Sequence, residues 1–134
     1  MKVKDNIELA ERIMQSFAGN YSFIGQEQEI YFFSGLAKLP EDVIEFAKDI
    51  YFCSDPAAGF YAETFLLTGK NSKQYKAIVN FKANFWKLSD KKRVDGIAHE
   101  IAHVYLGHEW GETHQGKKEI DANNLATEWI KQYK

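Results

Sequence analysis

The stretch "VDGIAHEIAHVYLGHEW", Val94 to Trp110, decides how this chain is interpreted. Three of the four histidines fall inside it, and two of them, His99 and His103, enclose Glu100 in the order H-E-x-x-H. Residues four apart on a helix are neighbours, with Cβ atoms about 5–6 Å apart, so both histidines can project from one face. Two imidazole nitrogens placed in this way can bind one Zn²⁺ ion. The spacing therefore predicts a helix that carries part of a zinc site.

The glutamate of the motif has a different predicted role. Glu100 lies about 100° round the helix from His99, which is too far for a natural third ligand on that axis. It is well placed to hydrogen-bond a water on the metal, which is the position of the general base in metal-assisted hydrolysis. The alternative is a polar outer helix face that carries two histidines at helical spacing.

A helical wheel of the same segment indicates where the histidines point. They face away from the main apolar stripe and lie beside the small residues Gly96 and Ala102. We therefore expect a second surface with room for a metal and a substrate. The main stripe consists of Val94, Ile97, Ile101 and Tyr105.

The third zinc ligand must come from elsewhere, because catalytic zinc sites usually have three protein ligands and one open position. A metzincin site would need glycine at position 106 and histidine at position 109, whereas this chain has Gly107 and His108. Since His108 directly follows a helix-ending glycine, we interpret it as a loop residue. His114 in the same loop stays open as a ligand. The acids of the following helix, Glu119 and Asp121, are the other candidates, and periodicity does not choose between them.

The rest of the chain predicts one α+β domain spanning residues 1–134, a usual domain size. A short antiparallel β-sheet is expected to pack with the HExxH helix and other helices. The predicted elements are a helix from Asp5 or Asn6 to Gly19, one or two strands within 21–35, a helix from Pro40 to Ile50, a loop over 53–59, a hairpin of 60–68 and 75–82, a helix from Ser89 or Asp90 to Leu106, and a helix from Glu119 to Tyr133.

Composition excludes several classes of protein. The net charge of -2 offers no basic excess for a phosphate backbone, so direct nucleic-acid binding is not expected. Cys53 is the only cysteine, which rules out an internal disulfide and favours a reducing compartment. Charged residues interrupt the apolar residues of the N-terminus, so neither a signal peptide nor a membrane span is expected. We therefore expect a soluble cytoplasmic protein.

The second half of the chain resembles the ImmA/IrrE family of zincin-like metallopeptidases. The matching stretches are "AIVNF" (77–81), "KKRVDGIAHEIAHVYLGH" (91–108) and "EIDANNLATEW" (119–129). The resemblance implies that His99 and His103 bind zinc and that Glu100 is the base. It also implies that the acid before Ala-Asn is the third ligand; here this is Asp121, where the family usually has glutamate, which keeps Glu119 as an alternative. Family members often cleave repressor-like regulators, and some carry a DNA-binding helix-turn-helix, for which this chain is too short.

The predicted function is a zinc metallopeptidase that hydrolyses a protein or peptide substrate, with Glu100 activating a zinc-bound water. The alternative is a regulatory or interaction module, zinc-binding or metal-free, that keeps the fold and does no hydrolysis. The strand 75–82 could pair with an extended peptide as a sheet edge, although an ordinary core strand is the better interpretation.

Overall fold

The computed structural model describes residues 3–17, 19–57, 61–67, 75–107 and 115–132. These residues form helices and a single sheet, which confirms the predicted α+β class. The helices are α1 (Val3–Ser16), α2 (Gln26–Leu36), α3 (Glu41–Ala47), α4 (Asp90–Tyr105) and α5 (Gln115–Lys131), with a short 3-10 helix at Ala83–Lys87. The strands are β1 (Tyr21–Ser22), β2 (Ile50–Ser54), β3 (Ala62–Leu66) and β4 (Ala77–Phe81).

The four strands form a mixed sheet in the order β1-β2-β4-β3. Strand β3 is antiparallel to β4, but β1 with β2 and β2 with β4 are parallel pairs. The prediction of an antiparallel sheet is therefore wrong for these two pairs. Helices α2 and α3 lie between β1 and β2 in the chain, and such a helical crossover returns the next strand in the same direction.

The predicted hairpin is confirmed as the pair β3–β4. Strand β4 lies between β2 and β3, so 75–82 contains a central strand, as the preferred interpretation had it. The edge beside it is β3. Any extended peptide that adds to this side of the sheet would therefore meet β3.

Several predictions for the first half of the chain are wrong at least in part. The loop predicted over 53–59 can begin only after Ser54, because Cys53 and Ser54 belong to strand β2. Only Tyr21–Ser22 forms a strand within 21–35, and Gln26–Leu36 is a helix with acidic residues in its first turn. The helix proposed from Pro40 to Ile50 ends at Ala47, and Ile50 begins strand β2. In these last two places tertiary burial decides the outcome, because the same aromatic and aliphatic residues suit a buried helix or a buried strand.

A cluster of phenylalanines holds the sheet against α1 and α2. Phe32 lies 4.6 Å from Phe52 of β2 between ring centroids, and Phe17 lies 5.4 Å from Phe33. These rings are fully buried or nearly so. Gly35 brings α2 close to α4, since a Cβ atom at this glycine would lie 2.8 Å from Cδ1 of Ile97. The cluster and this contact fix the position of α4 relative to the sheet.

Both ends of α4 are set by local sequence, as predicted. The side chain of Ser89 accepts a hydrogen bond from the backbone N–H of Lys92, which caps the first turn. Gly107 has a φ of 71°, a left-handed conformation that ends helices and that glycine adopts without strain. None of the described helices has the length and apolar character needed to cross a membrane.

Candidate metal centre

The two histidines of the motif meet at the tips of their rings. Nε2 of His99 lies 3.0 Å from Nε2 of His103, and the side chains are 17% and 11% exposed. Their spacing on α4 produces this contact, as the sequence predicted. Among the described residues, Nδ1 of His99 has no hydrogen-bond partner, so the acceptor that usually orients a zinc-binding imidazole is not found there.

A carboxylate from α5 completes a triangle with the two nitrogens. Oε2 of Glu119 lies 2.8 Å from Nε2 of His99, and Oε1 of Glu119 lies 3.2 Å from Nε2 of His103. Ligand atoms about 2.0–2.1 Å from a tetrahedral Zn²⁺ ion lie about 3.3 Å apart, so the three groups need to open by at most about 0.5 Å. Two imidazoles and one carboxylate are also ligands that zinc prefers. The residues therefore fit a zinc ion.

Of the two acids that the sequence offered on α5, only Glu119 contacts the histidines. The carboxylate of Asp121 lies 3.3 Å from Nζ of Lys117, one helical turn away. Two residues along a helix correspond to a rotation of about 200°, so Glu119 and Asp121 project from nearly opposite sides. The loop candidates His108 and His114 lie outside the described residues. The structure thus brings His99, His103 and Glu119 together.

Glu100, which the sequence predicts to be the base, lies beside these three residues. Oε2 of Glu100 is 3.9 Å from Nε2 of His99, and its side chain is only 12% exposed. Burial raises the pKa of Glu100 above its ordinary value, and the Glu119 carboxylate adds to the rise. A hydrogen bond from Thr64 and the neighbouring His99 act in the opposite direction on that pKa. A raised pKa favours a carboxylate that takes up a proton during a reaction.

Thr64 is a residue of the site that the sequence did not reveal. Its hydroxyl donates a hydrogen bond of 2.6 Å to Oε1 of Glu100. Thr64 is the middle residue of β3 and is buried, with 8% of its surface exposed. A polar residue at an inward position of a half-buried strand is the one signal that points to it, because such a group needs a partner.

The small residues around the motif do not open the site as predicted. Gly96 packs against Phe85, and a Cβ atom there would lie 2.9 Å from Cε1 of that ring. Ala102 is fully buried. Tyr105, assigned to the core stripe, is 58% exposed, although its ring contacts those of Phe46 and Trp129. The stripe is therefore shorter than predicted and ends at Ile101.

Helix α5 reaches the histidines through its packing on α4, the helix with which it makes most of its contacts. Its buried positions Ala122, Ala126 and Trp129 recur at spacings of four and three residues, which places them on one stripe. Glu119 stands one turn before Ala122 on this side. Packing between the two helices therefore positions the carboxylate.

One edge of the sheet runs beside the site. Strand β3 is held to β4 at both ends, where Lys82 N–H donates to the Tyr61 carbonyl (2.9 Å) and Leu67 N–H donates to the Lys76 carbonyl (2.8 Å). Alternate residues of an antiparallel strand point their backbone groups to opposite sides. No described strand pairs with the other side of β3. The residues whose N–H and C=O groups face this outer edge are Ala62, Thr64 and Leu66.

Comparison of the chain with protein-family models, with curated proteins and with solved structures finds no significant match. The resemblance to the ImmA/IrrE family therefore stays a prediction. The chemistry of the site is inferred from its own contacts.

Proposed function

We propose that this chain is a zinc-dependent metallopeptidase whose metal is held by His99, His103 and Glu119. The observation that carries the proposal is a cluster of donor atoms: Nε2 of His99 and Nε2 of His103 lie 3.0 Å apart, the two oxygens of Glu119 lie 2.8 and 3.2 Å from them, and the Glu100 carboxylate lies beside the cluster. Three protein ligands leave a fourth tetrahedral position open, which is the arrangement of catalytic zinc sites. A purely structural site would use that position for a fourth protein ligand.

The chain's own residues account for the proton transfers of hydrolysis. A bound Zn²⁺ ion would polarise the scissile carbonyl and lower the pKa of a water molecule. Oε2 of Glu100, on the side of His99, accepts a proton from the attacking water and then donates it to the leaving amine. Its buried setting, which raises the pKa of Glu100, keeps the protonated form accessible between these two steps.

A peptide is the substrate class that the surroundings of the site support. The outer edge of β3 has backbone groups at Ala62, Thr64 and Leu66 that face away from β4, and an extended peptide can add a strand beside the half-buried Ala62 and Leu66. Thr64 in the middle of this edge contacts the base directly. A peptide paired with β3 would therefore pass the metal-binding side of α4.

Two narrower predictions belong to this proposal. The combination of an HExxH helix with a small sheet whose edge strand borders the site supports a zincin-like fold. The single free cysteine, Cys53, favours a reducing compartment such as the cytoplasm.

The second candidate is a regulatory or interaction module that does no hydrolysis. One observation favours it: the distances between His99, His103 and Glu119 are also those of hydrogen bonds. The Nε2 atoms of both histidines can therefore be satisfied without a metal. Metal binding and hydrolysis have to be measured separately to distinguish the two functions.

The test compares the parent protein with Glu100→Gln. Both proteins are loaded with Zn²⁺, analysed for bound metal, and incubated with a peptide library prepared from a digested cell lysate, with cleavage products detected by mass spectrometry. We expect one Zn²⁺ ion per chain in both proteins and cleavage by the parent alone, because the amide cannot take up the proton. If neither protein binds zinc, and zinc does not raise Tm, the interaction module is the correct function. Equal cleavage by both proteins would show that Glu100 is not the base.

A further inference from the structure

We propose that Thr64 is a positioning residue that keeps Glu100 as a base and prevents it from becoming a metal ligand. The effect of Thr64 on catalysis rests on the proposed function. The position that Thr64 imposes on the Glu100 carboxylate does not. The two oxygens of Glu100 have separate surroundings: Oε1 accepts the hydrogen bond from Thr64 at 2.6 Å, and Oε2 lies 3.9 Å from Nε2 of His99. One oxygen is tethered to the sheet and the other faces the ligand triangle.

Without this tether Glu100 has an alternative within reach. Its carboxylate already belongs to a group with His99 and His103 whose ligand atoms all lie within 4.8 Å of one another. Helix geometry alone placed Glu100 too far round the axis for a ligand, but the observed distances show otherwise: Oε2 lies 3.9 Å from Nε2 of His99, so a side-chain rotation could bring an oxygen into contact with a metal held by the two histidines. That contact would occupy the open position that the attacking water requires. The same side chain can therefore be a base or a fourth ligand, depending on what holds it.

The geometry of Thr64 suits it for this task. It is the central residue of β3, lies opposite Val79 of β4 and is buried, and its chain neighbours Glu63 and Phe65 face β4, so its backbone is held in place through them. Its branched side chain restricts χ1, which keeps the hydroxyl aimed in one direction. A hydrogen bond to a buried carboxylate is among the stronger ones in a protein, because one partner carries a charge.

The hydrogen bond would also resist rotation once a metal is bound. If Oε1 left Thr64, the Thr64 hydroxyl would lose its acceptor in a buried setting. The cost of that loss opposes the attraction of the carboxylate to the cation. Thr64 thus sets the balance between the two arrangements of Glu100.

Three variants test the proposal. Thr64→Val keeps the shape and removes the hydroxyl, Thr64→Ser keeps the hydroxyl, and Thr127→Val makes the same change at an exposed position of α5. With a peptide cleaved by the parent, we expect kcat to fall about 10- to 100-fold in Thr64→Val while KM stays within about 2-fold. Thr64→Ser should restore kcat to within about 3-fold of the parent value. The control Thr127→Val should have the same kcat as the parent. An unchanged kcat in Thr64→Val, or a loss in Thr64→Ser equal to that in Thr64→Val, would overturn the proposal.

A second measurement needs no activity. Crystal structures of the zinc-loaded parent and of Thr64→Val show which atoms surround the metal, and absorption spectra of the Co²⁺-substituted proteins report the same ligand set in solution. In the parent we expect Glu100 to accept the hydrogen bond from Thr64. In Thr64→Val we expect Glu100 to bind the metal, with no loss of zinc affinity relative to the parent. Glu100 on the metal in the parent, or away from it in both, would overturn the proposal. A parent that shows the expected geometry and cleaves nothing would contradict the proposed function but not the role of Thr64. If Thr64→Val does not fold, the zinc-loaded parent and Thr64→Ser decide: Glu100 must bond to the hydroxyl in both.

Discussion

Oε2 of Glu119 on α5 lies 2.8 Å from Nε2 of His99 on α4, so the two helices are linked by a contact between these side chains. Of the two acids that α5 offers, this contact favours Glu119 as the proposed ligand, because Asp121 pairs with Lys117 instead. Glu119 is 52% exposed while the histidine beside it is largely buried. The proposed ligand set therefore has two largely buried members and one that faces solvent.

The first prediction concerns the ligand set. Glu119→Gln removes the negative charge from the triangle, so zinc affinity should fall at least about 100-fold. Asp121→Asn should leave affinity within about 3-fold, since Asp121 contacts only Lys117 among the contacts described above. Competition with a chromophoric chelator measures both. The reverse order of effects would show that Asp121 is the ligand, as the family resemblance implied.

The second prediction concerns the packing that positions Glu119. Ala122 is fully buried one turn after it, so Ala122→Leu forces α5 away from α4 and should destabilise the protein by about 1–3 kcal/mol. Zinc affinity should fall at the same time, although no ligand has been changed. Asn123→Leu adds similar bulk at an exposed position and serves as the control in chelator competition and thermal melts. Normal zinc affinity in the destabilised Ala122→Leu protein would contradict this dependence.

The third prediction concerns the cost of the buried base in the metal-free protein. Burial raises the pKa of Glu100, so its favourable contribution to folding is complete below the unfolded pKa and is lost as pH rises through the folded pKa. Glu100→Gln stays neutral at every pH. Its Tm advantage over the parent should therefore be small near pH 4 and should grow towards pH 8, in melts recorded with a chelator present. A difference in Tm between the two proteins that stays constant with pH would show that burial does not raise the pKa of Glu100.

The fourth prediction concerns a carboxylate with the opposite behaviour. Asp55 accepts hydrogen bonds from Lys82, Asn80 and the Ala57 backbone N–H, which hold its pKa at about 2, below its ordinary 3.8. Its stabilising effect is present above the unfolded pKa and is lost as pH falls through the folded pKa. Asp55→Asn should therefore be less stable than the parent at pH 7, and the difference should close as pH falls from about 4 to about 2. Denaturation at several pH values measures this gap, and a gap that persists at pH 2 would contradict the prediction.

The fifth prediction concerns the outer edge of β3. Proline at Ala62 removes an N–H group that faces away from β4, so the sheet should survive while KM for a cleaved peptide rises about 10-fold. Proline at Glu63 removes an N–H group directed at β4 and should destabilise the fold. Steady-state kinetics and thermal melts of the two variants separate these effects. An unchanged KM in Ala62→Pro would mean that the peptide binds elsewhere.

Some residues of the candidate site could be predicted from local sequence and others could not. His99, Glu100 and His103 share one helix, and helical geometry alone predicts that the two histidines converge. Glu119 could be proposed but not chosen, because its position depends on how α5 rotates when Ala122 and Trp129 are buried. Thr64 was not proposed at all, since its contact with Glu100 depends on how the sheet lies against α4.

The elements of the fold were likewise predictable only where local sequence determines them. The capped helix α4 and the hairpin of β3 and β4 were predicted, because Ser89, Gly107 and strand alternation are local signals. The parallel pairing of β1, β2 and β4 was not, because it depends on contacts between distant segments. The helix Gln26–Leu36 was missed because its run of apolar and aromatic residues lacks a period that separates helix from strand.

The proposed division of the metal ligands between α4 and α5 has a consequence for comparing sequences. A relative could keep every letter of HExxH and still lose its zinc through a substitution at the interface between the two helices. Conversely, drift in the motif's neighbours would be tolerated as long as that interface holds. For the proposed centre, the position outside the motif to compare first is therefore the fully buried Ala122 of α5.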